Sequence, residues 1–192
     1  MTLVKKSEGI YIDDSCNDLL EKTNIIIFDC DGVLIDITKS YDLAIIKTTQ
    51  YVLENFAKIN DSITVDFKII DGFKSSGGFN DEVDLTYAAI ISLVAANQLE
   101  KDPTEFIFDV IKNSDSSGIV SVEKYLETQT DISKIKKQLS YPGIHHQNPL
   151  YQIFDQLFYG PKLYENLFKI KSNFSESGLI EQDDVILNEK LL

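Results

Sequence analysis

The sequence predicts an α/β fold in which helices dominate. The apolar run at residues 25–28 has the length and composition of one short, fully buried strand. The rest of the chain shows apolar residues at helical spacing in roughly seven segments. No second apolar strand accompanies them, so the predicted fold class is α/β but mostly α.

The size and the charge of the chain narrow the possible functions. Its 192 residues can hold one core, or one core with a small second lobe. The net charge of −13 argues against nucleic-acid and anionic-membrane partners. The sequence contains no Arg, so Lys, backbone N–H groups or a metal would have to hold any bound phosphate.

The cysteines and the first residues bear on localisation. Cys16 and Cys30 lack the spacing of a metal or redox site, and the polar start of the chain does not resemble a secretory leader. We therefore expect a cytoplasmic protein. No apolar run approaches the length of a membrane span.

Polarity, capping residues and helix-breaking residues predict the helices and strands, taken here in chain order. Residues 1–22 are a polar lead-in with a short strand near 9–12, and Thr38 or Ser40 is expected to cap the first long helix. The segment 82–99 is apolar on more than one side and should be the central helix of a bundle. The predicted helices span 38–56, 65–73, 82–99, 103–112, 121–128, 131–139 and 149–159, followed by one that ends near 170 after the Gly160-Pro161 break.

Three further segments complete the chain. Residues 178–181 are predicted to be briefly extended, and Asp183 or Asp184 to cap a last helix. Adjacent histidines point apart on most backbones, so His145 and His146 are predicted to be loop residues. The aromatic residues at helical spacing are predicted to be core; they are Tyr151, Phe154, Phe158, Tyr159, Tyr164 and Phe168.

The acidic loop after the predicted strand is the main candidate site. Chemistry in open α/β sheets collects beyond the carboxyl ends of strands, where Asp29 and Asp31 are placed. Two such carboxylates can share one Mg²⁺, and aspartate can act as a nucleophile towards phosphorus. Gly32 permits a sharp turn and close approach of backbone N–H groups to a ligand. An EF-hand loop is excluded because Val33 and Leu34 occupy positions that it needs polar or glycine.

Residues 25–36, IIIFDCDGVLID, resemble the first motif of the haloacid-dehalogenase-like (HAD) phosphohydrolases. The resemblance implies that Asp29 is the nucleophile and Asp31 the acid/base, and that both bind Mg²⁺, Asp31 through its backbone carbonyl. It also implies that the backbone of Cys30, Asp31 and Gly32 holds the transferring phosphoryl group. It implies the first strand of a HAD-type Rossmannoid core with an inserted all-helical (C1-type) cap.

Two later stretches resemble a phosphatase-like branch of HAD subfamily IA. They are residues 74–81 with the following Asp84, Leu85 and Thr86, and residues 178–181. Lys74, Gly77, Gly78 and Asn80 would then form a loop of the cap that contacts substrate and closes over the acidic site. A plain helix–helix connector is the alternative.

The resemblance also divides the chain. After the polar lead-in at 1–22, it implies the first core strand and catalytic loop at 23–37, the helical cap at 38–172, and a linker at 173–192 that returns to the core. The family's other three motifs follow the cap, so we expect the chain to be truncated and inactive alone.

The function predicted is that of a Mg²⁺-dependent phosphomonoester phosphatase that acts on a small phosphorylated metabolite through an aspartyl-phosphate. Two alternatives stay open. One is a phosphomutase of the same superfamily, and the other is a non-catalytic truncated or binding protein. The oligomeric state is left open.

Overall fold

The computed structural model describes residues 3–60 and 65–186. The helices and strands are, in order, β1 (Leu3–Ser7), β2 (Ile10–Asp13), α1 (Asn17–Glu21), β3 (Ile35–Asp36), α2 (Thr38–Val52), α3 (Phe67–Ser75), α4 (Glu82–Gln98), α5 (Pro103–Lys112), α6 (Ile119–Glu127), α7 (Ser133–Leu139), α8 (Pro149–Phe168) and β4 (Asp184–Val185). The predicted class, α/β but mostly α, is confirmed.

Helix α4 is the centre of a bundle formed by α2–α8. Its side chains are buried almost all round, from Val83 to Ala96. It contacts α2, α5, α6 and α8. A helix that is apolar all round is stable only inside such a bundle, so the predicted central position of this segment is confirmed.

The helix boundaries follow local capping chemistry. The side chains of Asp66, Asp81 and Asp102 accept hydrogen bonds from the first N–H groups of α3, α4 and α5. Neither Thr38 nor Ser40 caps α2. Thr38 is already its first residue, and its N–H donates to the Asp36 carboxylate at 3.1 Å.

Helix α8 is kinked at the predicted breaker. Gly160 has non-helical dihedral angles, φ 70° and ψ 166°, and Pro161 follows it. A Cβ atom at Gly160 would lie 2.3 Å from the backbone nitrogen of Gly178. The kink therefore lets the segment at Gly178 cross α8 with the two backbones in direct contact.

The buried strand predicted at residues 25–28 is wrong. Residues 23–29 have no regular secondary structure, and the side chains of residues 25–28 are between 63% and 90% exposed. A strand needs a neighbouring strand to satisfy its backbone. In the described part of the chain, β1 pairs only with β2 and β3 only with β4, so no strand edge adjoins this run.

The two ends of the chain also differ in part from prediction. The strand predicted near 9–12 corresponds to β2, which forms an antiparallel hairpin with β1. Leu179–Gln182 is a turn of 3₁₀ helix, so the extended piece predicted at 178–181 is wrong. The start of the helix predicted from Asp183 or Asp184 is also wrong, because β4 occupies it. The rest of that prediction, residues 187–192, lies outside the described residues.

Candidate active site

The acidic residues predicted to be catalytic lie in one tight loop. The Cys30 carbonyl accepts hydrogen bonds from the N–H groups of Val33, Leu34 and Ile35 at 3.3, 2.8 and 3.0 Å. The N–H of Gly32 donates to the Ile35 carbonyl at 2.8 Å, and Gly32 has φ +73°, which glycine adopts without strain. The predicted turn at Gly32 is therefore present.

The two carboxylates of this loop face solvent. The Asp29 Oδ1 accepts a hydrogen bond from the Cys30 N–H at 2.8 Å, and both Asp29 and Asp31 are exposed. Carboxylate oxygens are the side-chain ligands that Mg²⁺ prefers, with water completing its shell. The donor chemistry fits that ion, although the described residues contain no cluster of three or more His, Cys, Asp or Glu side chains able to hold a metal.

Short strands fix the far end of the loop to the bundle. β3 pairs with β4 in antiparallel register, and the Ile186 N–H donates to the Leu34 carbonyl at 2.8 Å. The Lys39 ammonium lies 2.5 Å from the Asp184 carboxylate. Residues after the bundle thus hold the exit of the acidic loop in place.

Asp36 joins this loop to helix α2. Its carboxylate accepts hydrogen bonds from both the hydroxyl of Thr38, at 2.6 Å, and the Thr38 N–H. These two bonds lower the pKa of Asp36. Asp36 therefore has a structural role, as an ionised group at the start of α2.

Tyr41 brings the acidic loop into electrostatic contact with the bundle. Burial raises the pKa of its phenol to about 12, and the negative charges of Asp31, Glu82 and Asp183 act in the same direction. Its ring stacks on Phe158 of α8 with centroids 4.5 Å apart. The α2 residue Tyr41 thus contacts α8 and interacts electrostatically with the acidic loop.

Lys74 lies close to two carboxylates at the end of α3. Its ammonium is 3.7 Å from the Asp42 carboxylate and 3.9 Å from that of Glu82. Burial raises the pKa of both acids. Glu82 also acts on the Tyr41 phenol, so Lys74 and Tyr41 share a carboxylate neighbour.

The remaining residues of the predicted cap loop are spread over different environments. A Cβ atom at Gly78 would lie 2.4 Å from the Gly118 nitrogen, so this glycine permits close backbone packing. Gly77 and Asn80 are exposed. A substrate-contacting role for this loop stays a prediction.

Sequence reasoning missed a polar cluster at the junction of α8 and the turn before it. His145 Nε2 lies 3.4 Å from Asp155 Oδ2. Nearby, the Tyr141 hydroxyl donates to the Asp84 carboxylate and lies 3.5 Å from the Tyr151 hydroxyl. No local motif marks these residues, because Asp155 and His145 meet only through the fold.

Comparisons with known proteins give one structural similarity. The fold is similar to a solved structure described as phosphatase Tt82 from Thermococcus thioreducens, with a TM-score of 0.49 and 19% sequence identity. The match covers 85% of this chain and 55% of that phosphatase, so the chain spans about half of its length. No family model matches the sequence, and no curated protein does.

The described residues include no helix that is long and apolar enough to cross a membrane.

Proposed function

We propose that the chain is the part of a Mg²⁺-dependent phosphomonoester phosphatase that carries the nucleophile and a helical cap. The observation that carries the proposal is the acidic loop. There, two exposed carboxylates flank Cys30, in a turn closed on the Cys30 carbonyl. This arrangement supports the interpretation of residues 25–36 as the first motif of HAD-like phosphohydrolases.

Asp29 and Asp31 have separate roles in the proposed reaction. A carboxylate oxygen of Asp29 attacks phosphorus as the bond from phosphorus to the substrate oxygen breaks, and Asp31 protonates the leaving alcohol. Asp31 then takes a proton from water, which attacks the aspartyl-phosphate and releases inorganic phosphate. Asp29 is regenerated as a carboxylate, so atoms and charges balance over the cycle.

The loop backbone and a metal would supply the electrostatics. Mg²⁺ held by the Asp29 carboxylate and the Asp31 backbone carbonyl would neutralise charge on the phosphate. N–H groups at 30–32 would help to hold the phosphoryl oxygens, although that of Cys30 donates to Asp29 and that of Gly32 to the Ile35 carbonyl in this structure. The N–H of Asp31 is the first candidate, because the described residues offer it no backbone acceptor.

The test is hydrolysis of 4-nitrophenyl phosphate by the purified chain, with and without Mg²⁺. Mg²⁺-dependent release of nitrophenol that Asp29→Asn abolishes and that Asp31→Asn reduces at least a hundredfold would support the proposal, and it would show that the expectation of a chain inactive alone is wrong. Asp18→Asn removes an exposed carboxylate of α1 and should leave the rate unchanged. A phosphoenzyme trapped in acid should be cleaved by hydroxylamine, because it is an acyl phosphate.

A non-catalytic binding protein is the second candidate. It is favoured by the fact that the described residues gather no metal-sized group of acidic or histidine side chains. Folded protein that shows neither hydrolysis nor a phosphoenzyme at any Mg²⁺ concentration would overturn phosphatase activity for this chain on its own.

A further inference from the structure

Two exposed apolar surfaces of this chain carry charges of opposite sign. The first, called the apolar run here, is residues 25–28, whose side chains are between 63% and 90% exposed. The second, called the α8 end, consists of Leu163, Leu167 and Ile170, which are 37%, 53% and 42% exposed. A single exposed apolar side chain is ordinary, but several together mark a contact surface.

The apolar run is uncovered in its backbone as well as in its side chains. The N–H and C=O groups of residues 24–29 form no backbone hydrogen bond with any described residue. The Ile and Phe side chains of the run are of the kind that favours extended backbone and packs well on a neighbouring surface. The run can therefore take a partner on its side chains and along its backbone.

Uncompensated negative charge borders the apolar run. Asp29 and Asp31 follow it directly and are exposed, and no basic residue occurs between positions 23 and 31. The ion pairs of the described residues include neither of these carboxylates. A partner of the apolar run should therefore bring positive charge next to an apolar surface.

The α8 end has that chemistry. Leu163 and Leu167 lie one helical turn apart, so they share one face of α8. Within residues 161–171, Glu165 is the one acid, against three exposed lysines. The lysines are Lys162, Lys169 and Lys171. This stretch is therefore locally cationic in a chain whose net charge is −13.

We propose that the apolar run of one copy of this chain packs on the α8 end of a second copy, whose lysines then face Asp29 and Asp31. The two surfaces do not cover each other within one copy, because both are exposed there. A contact between two apolar runs would bring no counter-charge to the acids, and a contact between two α8 ends would bring none to the lysines.

Such a contact is head-to-tail. Each associated pair keeps one free surface of each kind, so further copies can add until the chain of copies closes into a ring. This inference goes beyond the proposed phosphatase function and does not rest on it.

The test is sedimentation velocity of the full chain over concentrations up to about 1 mM. The buffer contains no Mg²⁺, which would compete for the acids, and contains a reductant, because Cys30 is exposed and could form a disulfide between copies. We expect the weight-average mass to rise above that of one chain as the concentration rises. Association should be at least about threefold weaker at about 0.5 M NaCl than at about 0.05 M, because salt screens the charges.

Two variants each disable one surface. Ile27→Lys places a charge in the apolar run, opposite the lysines, and Leu167→Glu places one in the α8 end, opposite the acids. Each should weaken association at least about tenfold. Val120→Lys and Val120→Glu introduce the same charges at a residue of α6 that is 62% exposed, and they should leave association unchanged. Circular dichroism checks that all four variants fold.

Mixing the two disabled variants tests whether the two surfaces form one contact. An equimolar mixture of Ile27→Lys and Leu167→Glu should associate again, because each variant keeps the surface that the other has lost. A chain that stays monomeric at every concentration, a mixture that does not associate, or weakening by only one of the two variants would overturn the inference. Phosphate hydrolysis is not a readout here, so these outcomes are separate from those of the proposed function.

Discussion

Two apolar stretches of this chain have opposite environments. Helix α4 buries nearly every side chain between Val83 and Ala96, whereas residues 25–28 expose more than half of each side chain. A helix satisfies its backbone hydrogen bonds within itself, and the neighbouring helices need only cover its side chains. A strand needs a partner along its length, so apolar composition alone does not bury it.

The largest expected effect on stability comes from making the same change, Phe to Ala, at a buried and at an exposed phenylalanine. Phe73 is fully buried and packs edge-on against Phe79, with centroids 5.0 Å apart, whereas Phe28 is 63% exposed. Phe73→Ala should lower the free energy of unfolding by about 3–5 kcal/mol. Phe28→Ala should change it by less than about 0.5 kcal/mol.

Denaturation in urea measures both variants. A loss above about 1 kcal/mol for Phe28→Ala would contradict the exposed position of this segment.

The second effect concerns the crossing at the kink of α8. Gly160→Ala introduces a Cβ atom 2.3 Å from the Gly178 nitrogen at a φ of +70°, so backbone must move. We expect a loss of about 2–4 kcal/mol in stability, from steric overlap added to the left-handed backbone.

Gly9→Ala is the matched control, because Gly9 has φ +76° and no atom within 4 Å of an added Cβ. It should cost only about 1 kcal/mol. Similar losses in the two variants, measured by thermal unfolding, would show that no close crossing exists at Gly160.

The third effect is the pH dependence of stability that Asp155 causes. Its pKa is raised by burial from 3.8 to about 7, so between these values the unfolded chain loses a proton that the folded chain keeps. This group therefore makes stability fall as pH rises from about 4 to about 7. Asp155→Asn should flatten the curve and stabilise the protein at neutral pH.

Asp131→Asn provides a control of opposite sign, because hydrogen bonds from Ser133 lower the pKa of Asp131. Removing this carboxylate should lower the free energy of unfolding slightly at pH values above 3.8, and the loss should shrink at lower pH. Urea unfolding of both variants between pH 4 and 8 measures the two slopes. An unchanged slope in Asp155→Asn would mean that Asp155 is ionised and well solvated.

The smallest effect on stability is expected at residue 27. Ile27 is 90% exposed, so Ile27→Lys should leave the unfolding midpoint unchanged while reducing the binding of a hydrophobic dye. Ile70→Lys, at a site only 1% exposed, should prevent folding. Unchanged dye binding in Ile27→Lys would locate the exposed apolar surface elsewhere.

Local signals made most of the helices predictable. Pro103 and its capping residue Asp102 fix the start of α5, and Gly160 with Pro161 marks the kink of α8. The acidic loop was predictable for the same reason, since Asp29 and Gly32 are three residues apart and one turn brings them together.

Long-range contacts were not predictable. The environment of residues 25–28 depends on whether another strand adjoins them, which their own composition does not encode. Asp155 and His145 are ten residues apart, on a helix and the turn before it, and they meet because the 3₁₀ turn His145–Gln147 packs against α8. Burial of a single carboxylate has no signature in a helical pattern.

The glycine crossings constrain how this sequence can diverge. Gly78 lies against Gly118, and Gly160 against Gly178, with each backbone occupying the space that a side chain on its partner would need. A side chain on one member of a pair collides with the backbone of the other segment, whichever residue stands there. A second substitution in the partner therefore cannot relieve the contact. Distant descendants of this chain should therefore keep all four glycines even where the surrounding residues have drifted beyond recognition, and these positions offer the surest anchors for aligning them.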